Sequence, residues 1–166
     1  MSTQTSTPMH DMHDNKHDEP AAGLSEASRI RKEFFALRNG LIADTLRKGG
    51  LEQKYIFGLQ LPQIKEIASA HRCATDEATA ALAMEMWADR ECRESRLLAC
   101  HLMPPALMSR DEALRWAADI RTREEADILA FRLIRYLPMA PEIAGISESA
   151  GTGLQEYMAA AIRRFL

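Results

Sequence analysis

The sequence lacks any apolar run that approaches the roughly 20 residues of a membrane-spanning helix, and its polar N-terminus has no apolar export signal. Cysteines are also few, because Cys73, Cys92 and Cys100 are the complete set and no two form a C-x-x-C pair. An odd set with this spacing argues against a disulfide framework or a cysteine metal site. We therefore expect a cytoplasmic protein with reduced thiols, no membrane partner, no metal and no small-molecule cofactor.

Basic charge is not in excess either, although such an excess is typical of nucleic-acid-binding proteins. The formal net charge is −3, and it arises in residues 1–20, where Asp11, Asp14, Asp18 and Glu19 outnumber Lys16. The rest of the chain is formally neutral. A neutral chain can still carry a basic face, so composition neither indicates nor excludes binding to duplex DNA.

The first 23 residues lack hydrophobic periodicity and are rich in Ser, Thr, His and Asp, which predicts a disordered tail. His10, His13 and His17 each precede an aspartate, a composition that could chelate a divalent metal if the tail curled up. The entropy lost in ordering such a tail favours the solvated state instead. One folded domain is expected to follow, over residues 24–166.

Signals for helix starts recur beyond the tail, whereas strand-like alternation is scarce. Three segments fit the S/T-x-x-E/Q capping box: Ser109 with Glu112, Thr122 with Glu125, and Thr152 with Gln155. Gly49 and Gly50 end a long first helix predicted over residues 25–47. Pro62 suits the first turn of another helix, and the prolines at 104, 105, 138 and 141 mark breaks.

An internal repeat relates two of these helices. The segment "RLLACHLM" at 96–103 aligns with "DILAFRLI" at 127–134, at an offset of 31 residues. Repeats of this length built from two helices stack as antiparallel pairs. We expect pairs at 62–71 with 76–88, 92–103 with 110–119, and 123–136 with 153–165. The predicted fold is therefore an all-α, HEAT-like α-α superhelix, or solenoid, of about three to four antiparallel helix pairs.

Asp127 lies at the edge of the apolar stripe of its predicted helix, a stripe formed by Ala126, Leu129, Ala130, Leu133 and Leu137. A carboxylate at an apolar edge costs desolvation energy unless it is paired. Arg96 occupies the equivalent position one repeat earlier, and Arg123 lies four residues before Asp127. Asp127 is therefore interpreted either as one half of a structural ion pair or as a catalytic carboxylate.

Three segments resemble the HEAT-like glycosylases of the DNA alkylation repair family (the AlkD-like group). They are "YIFGLQLPQIKEIA" at 55–68, "MWADRECRESRLLA" at 86–99 and "RWAADIRTREEAD" at 115–127. The family shows a Y/F-G-V-x-x-P motif leading into a helix, an E-x-R-L-L-A segment and a W-D-x-x-D motif. The resemblance covers roughly residues 30–137 and consists mostly of packing motifs, which are more specific for fold than for activity.

The resemblance implies that Asp127 is the catalytic carboxylate, which stabilises an oxocarbenium-like sugar as a cationic alkylated purine leaves. Arg123 stands where the family has a tryptophan that cradles the lesion sugar, and Glu124 stands where it has an aspartate. An arginine there would repel a cationic base and neutralise Asp127, but it would bind phosphate. Arg96 and Arg123 are thus predicted as ion-pair or phosphate partners.

The family continues with further helical repeats that complete its basic groove, whereas this sequence ends at Leu166. A second copy or a partner chain is expected to restore the groove, through a homodimer at the truncated end of the solenoid. Tyr157 and Phe165 are predicted to belong to a core stripe of the last helix.

Five arginines follow or flank the site and are candidates for a DNA-facing surface: Arg121, Arg132, Arg135, Arg163 and Arg164. Nearby carboxylates at 124, 125 and 156 would offset their charge. The favoured function is a DNA-interacting protein derived from alkylpurine DNA glycosylases, with the arginine at 123 and the missing repeats counting against glycosylase activity. The alternative is a non-enzymatic helical-repeat adaptor for protein–protein contact.

Overall fold

A computed structural model describes residues 23–166, in which nine α-helices account for nearly all regular structure. The tail predicted over residues 1–23, with its three histidines, lies almost entirely outside this described part. The helices are α1 (Glu26–Ala36), α2 (Gly40–Lys48), α3 (Leu61–Ala70), α4 (Asp76–Ala88), α5 (Arg93–Leu102), α6 (Arg110–Ala118), α7 (Arg123–Arg132), α8 (Ala140–Ser149) and α9 (Gly153–Arg163). Short 3-10 turns follow α5 and α7, at Pro105–Leu107 and Ile134–Tyr136.

The helices stack as an α-solenoid, which confirms the predicted all-α fold. Helices α3, α5, α7 and α9 pack side by side in one row. Helices of a second row cover them, with α4 packed on α5 and α8 on α9. Helix α6 belongs to this second row, where it contacts α8, and it also touches α9. The isolated bridge between Tyr55 and Cys92 is the only β-type pairing in the described part of the chain. The apolar core runs continuously between the two rows.

Side chains at the predicted helix starts do cap their helices. The hydroxyl oxygens of Ser109, Thr122 and Thr152 each accept a hydrogen bond from the backbone N–H three residues later. Each cap satisfies one of the donors that a helix start leaves unpaired. The glutamate that would complete the box at α7 is used elsewhere, since Glu125 accepts from the backbone N–H of Arg121.

The structure corrects the predicted helices at both ends of the chain. The helix expected over 25–47 is two helices, because the Asn39 side chain caps α2 by accepting from the backbone N–H of Ile42. A helix was not expected at 140–149, yet α8 forms there. Pro141 lies in the first turn of α8, where a missing N–H costs nothing. Consequently α7 and α9 are neighbours in one row, with α8 between them in sequence, and not the two members of one pair. The other two expected pairs are also wrong, because α4 packs on α5 and the extensive contacts do not include α3 with α4 or α5 with α6.

The two tryptophans are packing residues. Trp87 and Trp116 stack with ring centroids 4.4 Å apart and planes 4° apart. Both are almost completely buried. The indole N–H of Trp116 donates to Glu112, 2.9 Å away, so the polar atom of this buried ring is satisfied.

The loop before α3 is fixed by a buried carboxylate on α5. The Glu94 carboxylate accepts from the backbone N–H groups of Phe57 and Gly58, at 3.1 and 2.9 Å. Arg93 donates to the Leu59 carbonyl oxygen and to Glu94. Charge-assisted hydrogen bonds of this kind are stronger than neutral ones. The "YIFGLQLP" and "ECRESRLLA" segments are therefore one structural unit in space.

Helix α1 is attached to the end of α3 through His71, which bonds to Glu26 and Glu33 on two ring nitrogens. Burial alone would lower the pKa of His71, but the two carboxylates outweigh it and raise the pKa above its ordinary 6.5. The hydrogen bond from His71 lowers the pKa of Glu26 below 4.5. Between the lowered pKa of Glu26 and the raised pKa of His71, both side chains are charged.

We expect the unfolding free energy to fall as pH rises through the raised pKa of His71, because the imidazolium that pairs with both carboxylates then loses its charge. The same contribution is lost on the acid side, as Glu26 becomes protonated below its own lowered pKa. Urea denaturation between pH 4 and pH 9 measures this dependence. In His71→Gln the decline across neutral pH should be absent, and an unchanged decline would contradict the assignment.

Within residues 23–166, none of the helices combines the length and the apolar character needed to cross a bilayer.

Candidate active site

Asp127 lies in the second turn of α7, on the side that faces α9. Its side chain is 43% exposed. The Tyr157 hydroxyl lies 3.0 and 2.9 Å from the two carboxylate oxygens and donates to them. One guanidinium nitrogen of Arg164 lies 3.4 Å from Oδ1. The carboxylate is thus oriented by α9 but remains open to solvent, as a group that meets a ligand must be.

The N-terminal end of α7 is held by buried charges. Thr122 caps the helix, and the buried Glu125 accepts from Arg96, 3.0 Å away. Arg93 makes a two-pronged contact to Glu124, with nitrogen–oxygen distances of 2.8 and 2.6 Å. Paired contacts between a guanidinium and a carboxylate fix orientation as well as distance. The first two turns of α7, and with them the position of Asp127, are anchored on α5.

Arg96 does not pair with Asp127, contrary to expectation. Its guanidinium is completely buried and donates to the Asp119 carboxylate and to the carbonyl oxygens of Trp87 and Asp119. It also lies 3.5 Å from the centroid of the Trp87 ring. The reason is directional, because Arg96 points into the space between α4 and α6 while Asp127 points toward α9.

Arg123 makes no ion pair with Asp127 either, although it lies one turn away on the same helix. Its guanidinium carbon sits 5.0 Å from the centroid of the Tyr157 ring, and that of Arg164 sits 5.6 Å from the same centroid. Cations at these distances are attracted to the face of an aromatic ring. Arg123, Asp127, Tyr157 and Arg164 therefore form one group, which we term the Asp127 cluster.

A second group of aromatic and cationic side chains adjoins the Asp127 cluster. The rings of Phe131 and Phe165 lie 5.4 Å apart. The guanidinium carbon of Arg135 lies 4.1 Å from the Phe131 centroid and 5.5 Å from the Phe165 centroid. Phe165 is 39% exposed, so it is not the core residue that its spacing predicted. Aromatic rings with guanidinium groups beside them form surfaces on which nucleobases can stack.

The five arginines predicted to face DNA do not form one stripe. Arg164 belongs to the Asp127 cluster and Arg135 to the adjoining aromatic group. Arg163 is neutralised by Glu148, at 2.7 and 2.5 Å. Arg121 is exposed just before α7, and Arg132 lines a separate cleft between α3, α5 and α7.

No sequence pattern indicated the contact between Tyr157 and Asp127. The two residues lie 30 positions apart, and Tyr157 occupies a position that fits an ordinary apolar stripe. Its ring does pack partly against the core, as predicted. Only the hydroxyl reaches the carboxylate, and a helical pattern does not distinguish tyrosine from phenylalanine.

Residues 30–145 match the family model described as DNA alkylation repair enzyme. The chain belongs to this family. Neither the curated proteins nor the solved structures contain a match to it. In this member of the DNA alkylation repair enzyme family, Asp127 lies within the matched residues, whereas Tyr157 and Arg164 lie beyond them on α9.

Proposed function

We propose that the chain releases alkylated purines from duplex DNA, with Asp127 as the catalytic carboxylate. The observation that carries the proposal is the state of this side chain, which is oriented by Tyr157 and 43% exposed. Burial against Arg96 and Arg123 would have favoured a structural ion pair. Neither arginine bonds to it within residues 23–166. Arg164 does lie 3.4 Å from Oδ1, but the carboxylate stays 43% exposed and is therefore accessible to a substrate.

The reaction assigned to the site is hydrolysis of an N-glycosidic bond. The bond between C1′ of the sugar and the purine nitrogen breaks, and its electron pair leaves with the base. A purine that carries a cationic alkyl adduct departs neutral, so positive charge moves to the sugar. A carboxylate beside C1′ stabilises that charge in the transition state. Water then adds its oxygen to C1′ and loses a proton to solvent.

The arginines of the Asp127 cluster suit the phosphate backbone of the substrate DNA. Arg123 and Arg164 are exposed and can bind phosphates on either side of the lesion. The Tyr157 ring lies near both guanidinium groups, with its centroid 5.0 and 5.6 Å from their carbons, and provides an aromatic surface close to the carboxylate. In this arrangement Tyr157 supplies the aromatic face that resemblance to the family would have assigned to position 123.

Release of free base tests the proposal directly. Wild-type protein in excess over duplex DNA containing 7-methylguanine is expected to release the methylated base. Asp127→Asn should slow release by about 10²–10³-fold, the usual cost of removing one transition-state charge contact. Asp111→Asn, in an exposed aspartate of α6, is the matched control and should release base at the wild-type rate. No release by the wild type would reject the proposal.

The adaptor alternative is favoured by one observation, a set of exposed apolar side chains on α1 and α2. Phe35 is 58% exposed and Leu41 is 81% exposed, and such residues often mark protein contacts. Salt dependence of duplex DNA binding separates the two functions. If several arginines contact phosphates, the logarithm of the binding constant should fall steeply with the logarithm of salt concentration. An adaptor should show no measurable binding.

A further inference from the structure

A cleft of about 440 Å³ opens between the C-terminal halves of α3, α5 and α7, away from the Asp127 cluster. His101 lines it from the last turn of α5. Lys65 and Arg72 reach it from α3 and its C-terminal end, and Arg132 reaches it from α7. Ser69, Asp76 and Tyr136 are the other polar residues of its lining, and we term it the His101 cleft.

Two nitrogen atoms in the lining have no hydrogen-bond partner among residues 23–166. They are Nε2 of His101 and Nε of Arg132, and both are buried from solvent. Leaving a buried donor unpaired costs roughly 1–3 kcal/mol. Most buried polar groups in proteins are paired, so two unpaired nitrogens on neighbouring helices of one cleft indicate a missing hydrogen-bond partner.

The charge of the cleft is positive. Arg72 is partly neutralised by Asp76, at 3.6 Å. Lys65 and Arg132 make no ion pair within the described part of the chain, and Asp76 is the single carboxylate of the lining. Burial, together with the charges of Arg132 and Lys65, lowers the pKa of His101 to about 4. The imidazole is therefore neutral at pH 7, and one of its nitrogens can donate a hydrogen bond.

Helix ends alone do not account for the cleft. The carbonyl ends of α3, α5 and α7 carry partial negative charge, which favours lysine and arginine nearby. Those carbonyls do not contact His101 Nε2 or Arg132 Nε, which stay unpaired. An oxyanion in the cleft would balance the charges of Lys65 and Arg132, and it would pair with the two buried nitrogens once their side chains rotate toward it.

We infer that the His101 cleft binds a phosphate group, held by His101, Arg132 and Lys65. A tetrahedral dianion offers four oxygens to donors that converge from three helices, and arginine is well suited to it. The cleft is also large enough for a phosphate that is part of a nucleotide or of a DNA strand. The inference does not depend on base release at Asp127.

The experiment is an NMR titration of the His101 ring resonances, assigned by their loss in His101→Gln. The probes are inorganic phosphate, a nucleoside 5′-monophosphate and a 12-base-pair DNA duplex, each compared with sodium chloride at equal ionic strength. Phosphate is expected to shift the His101 resonances saturably and to raise the pKa of the imidazole. A shift with the two small probes alone assigns a free phosphate, and a shift with the duplex at lower concentration assigns a backbone phosphate.

Two variants and one control complete the test. Lys65 is exposed, so Lys65→Gln should fold normally and weaken phosphate binding about tenfold, as should Arg132→Gln. Arg110→Gln, in an exposed arginine paired with Glu142, should leave the titration unchanged. Absence of a shift with all three probes would overturn the inference, as would equal binding in Lys65→Gln and the wild type. Base release plays no part in the readout, so the titration tests the phosphate site even if the protein is inactive on methylated DNA.

Discussion

Replacing Arg96 with methionine is expected to lower the free energy of unfolding by about 3–5 kcal/mol, a large fraction of the stability of a domain this size. Arg96 is completely buried, and so is Glu125 at the other end of its ion pair. Removing the guanidinium leaves the Glu125 carboxylate without its counter-charge in a low-dielectric interior. The carbonyl oxygens of Trp87 and Asp119 lose a donor as well.

Urea denaturation measures the effect, and two further variants define its origin. Arg110→Met removes an arginine whose ion pair is exposed to solvent, and should change stability little. Adding Glu125→Gln to Arg96→Met should recover part of the loss, because the stranded charge disappears. If Arg96→Met were as stable as Arg110→Met, the buried network would not be a main source of stability.

Arg96→Met should also loosen the Asp127 cluster, although Arg96 makes no contact with Asp127. Glu125 links Arg96 to the first turn of α7 and also accepts from the backbone N–H of Arg121. Faster amide exchange at residues 121–125 in Arg96→Met would therefore accompany slower base release, even though Arg96 is remote from Asp127. The buried charges on α5 thus connect fold stability to the geometry of the proposed active site.

Periodicity and caps were sufficient to predict the helices from the sequence, and the internal repeat was sufficient to predict the solenoid. The apolar stripe proposed for α7 is buried as expected at Ala126, Leu129 and Leu133. Three threonine or serine caps lie where the S/T-x-x-E/Q pattern placed them. Apolar stripes and caps depend on residues within a single helix, and the spacing of those residues can be read directly from the sequence. Helix α8 was missed because proline was interpreted as a break, whereas at a first turn it is compatible with a helix.

The partners of the charged residues were harder to predict, since they depend on how helices are rotated against each other. Alignment of the repeats placed Arg96 and Asp127 at equivalent positions, but residues at equivalent positions of neighbouring helices need not face each other. Arg96 therefore contacts Asp119 and Glu125, while Asp127 contacts Tyr157. The sequence pattern of one helix does not show how the neighbouring helix is rotated against it.

Gly58→Ala is expected to destabilise the protein by about 3–5 kcal/mol, the second large effect. Gly58 has a φ of +79°, which costs an alanine about 1–2 kcal/mol. A Cβ atom there would also overlap the Asn39 carbonyl oxygen and lie 2.8 Å from the Ala43 nitrogen. Both atoms belong to the start of α2, so relief requires the backbone of the loop or of the helix to move.

Gly151→Ala separates the two causes. Gly151 has a φ of +65°, and a Cβ atom there would meet nothing within 4 Å. Its loss of stability should therefore reflect backbone conformation alone and be less than half that of Gly58→Ala. Thermal and urea unfolding of both variants measure the difference. Equal losses would mean that α2 and the loop can separate freely. A greater loss at Gly58 would mean that this contact, together with the Glu94 carboxylate that binds the Gly58 N–H, holds the first helices against α5.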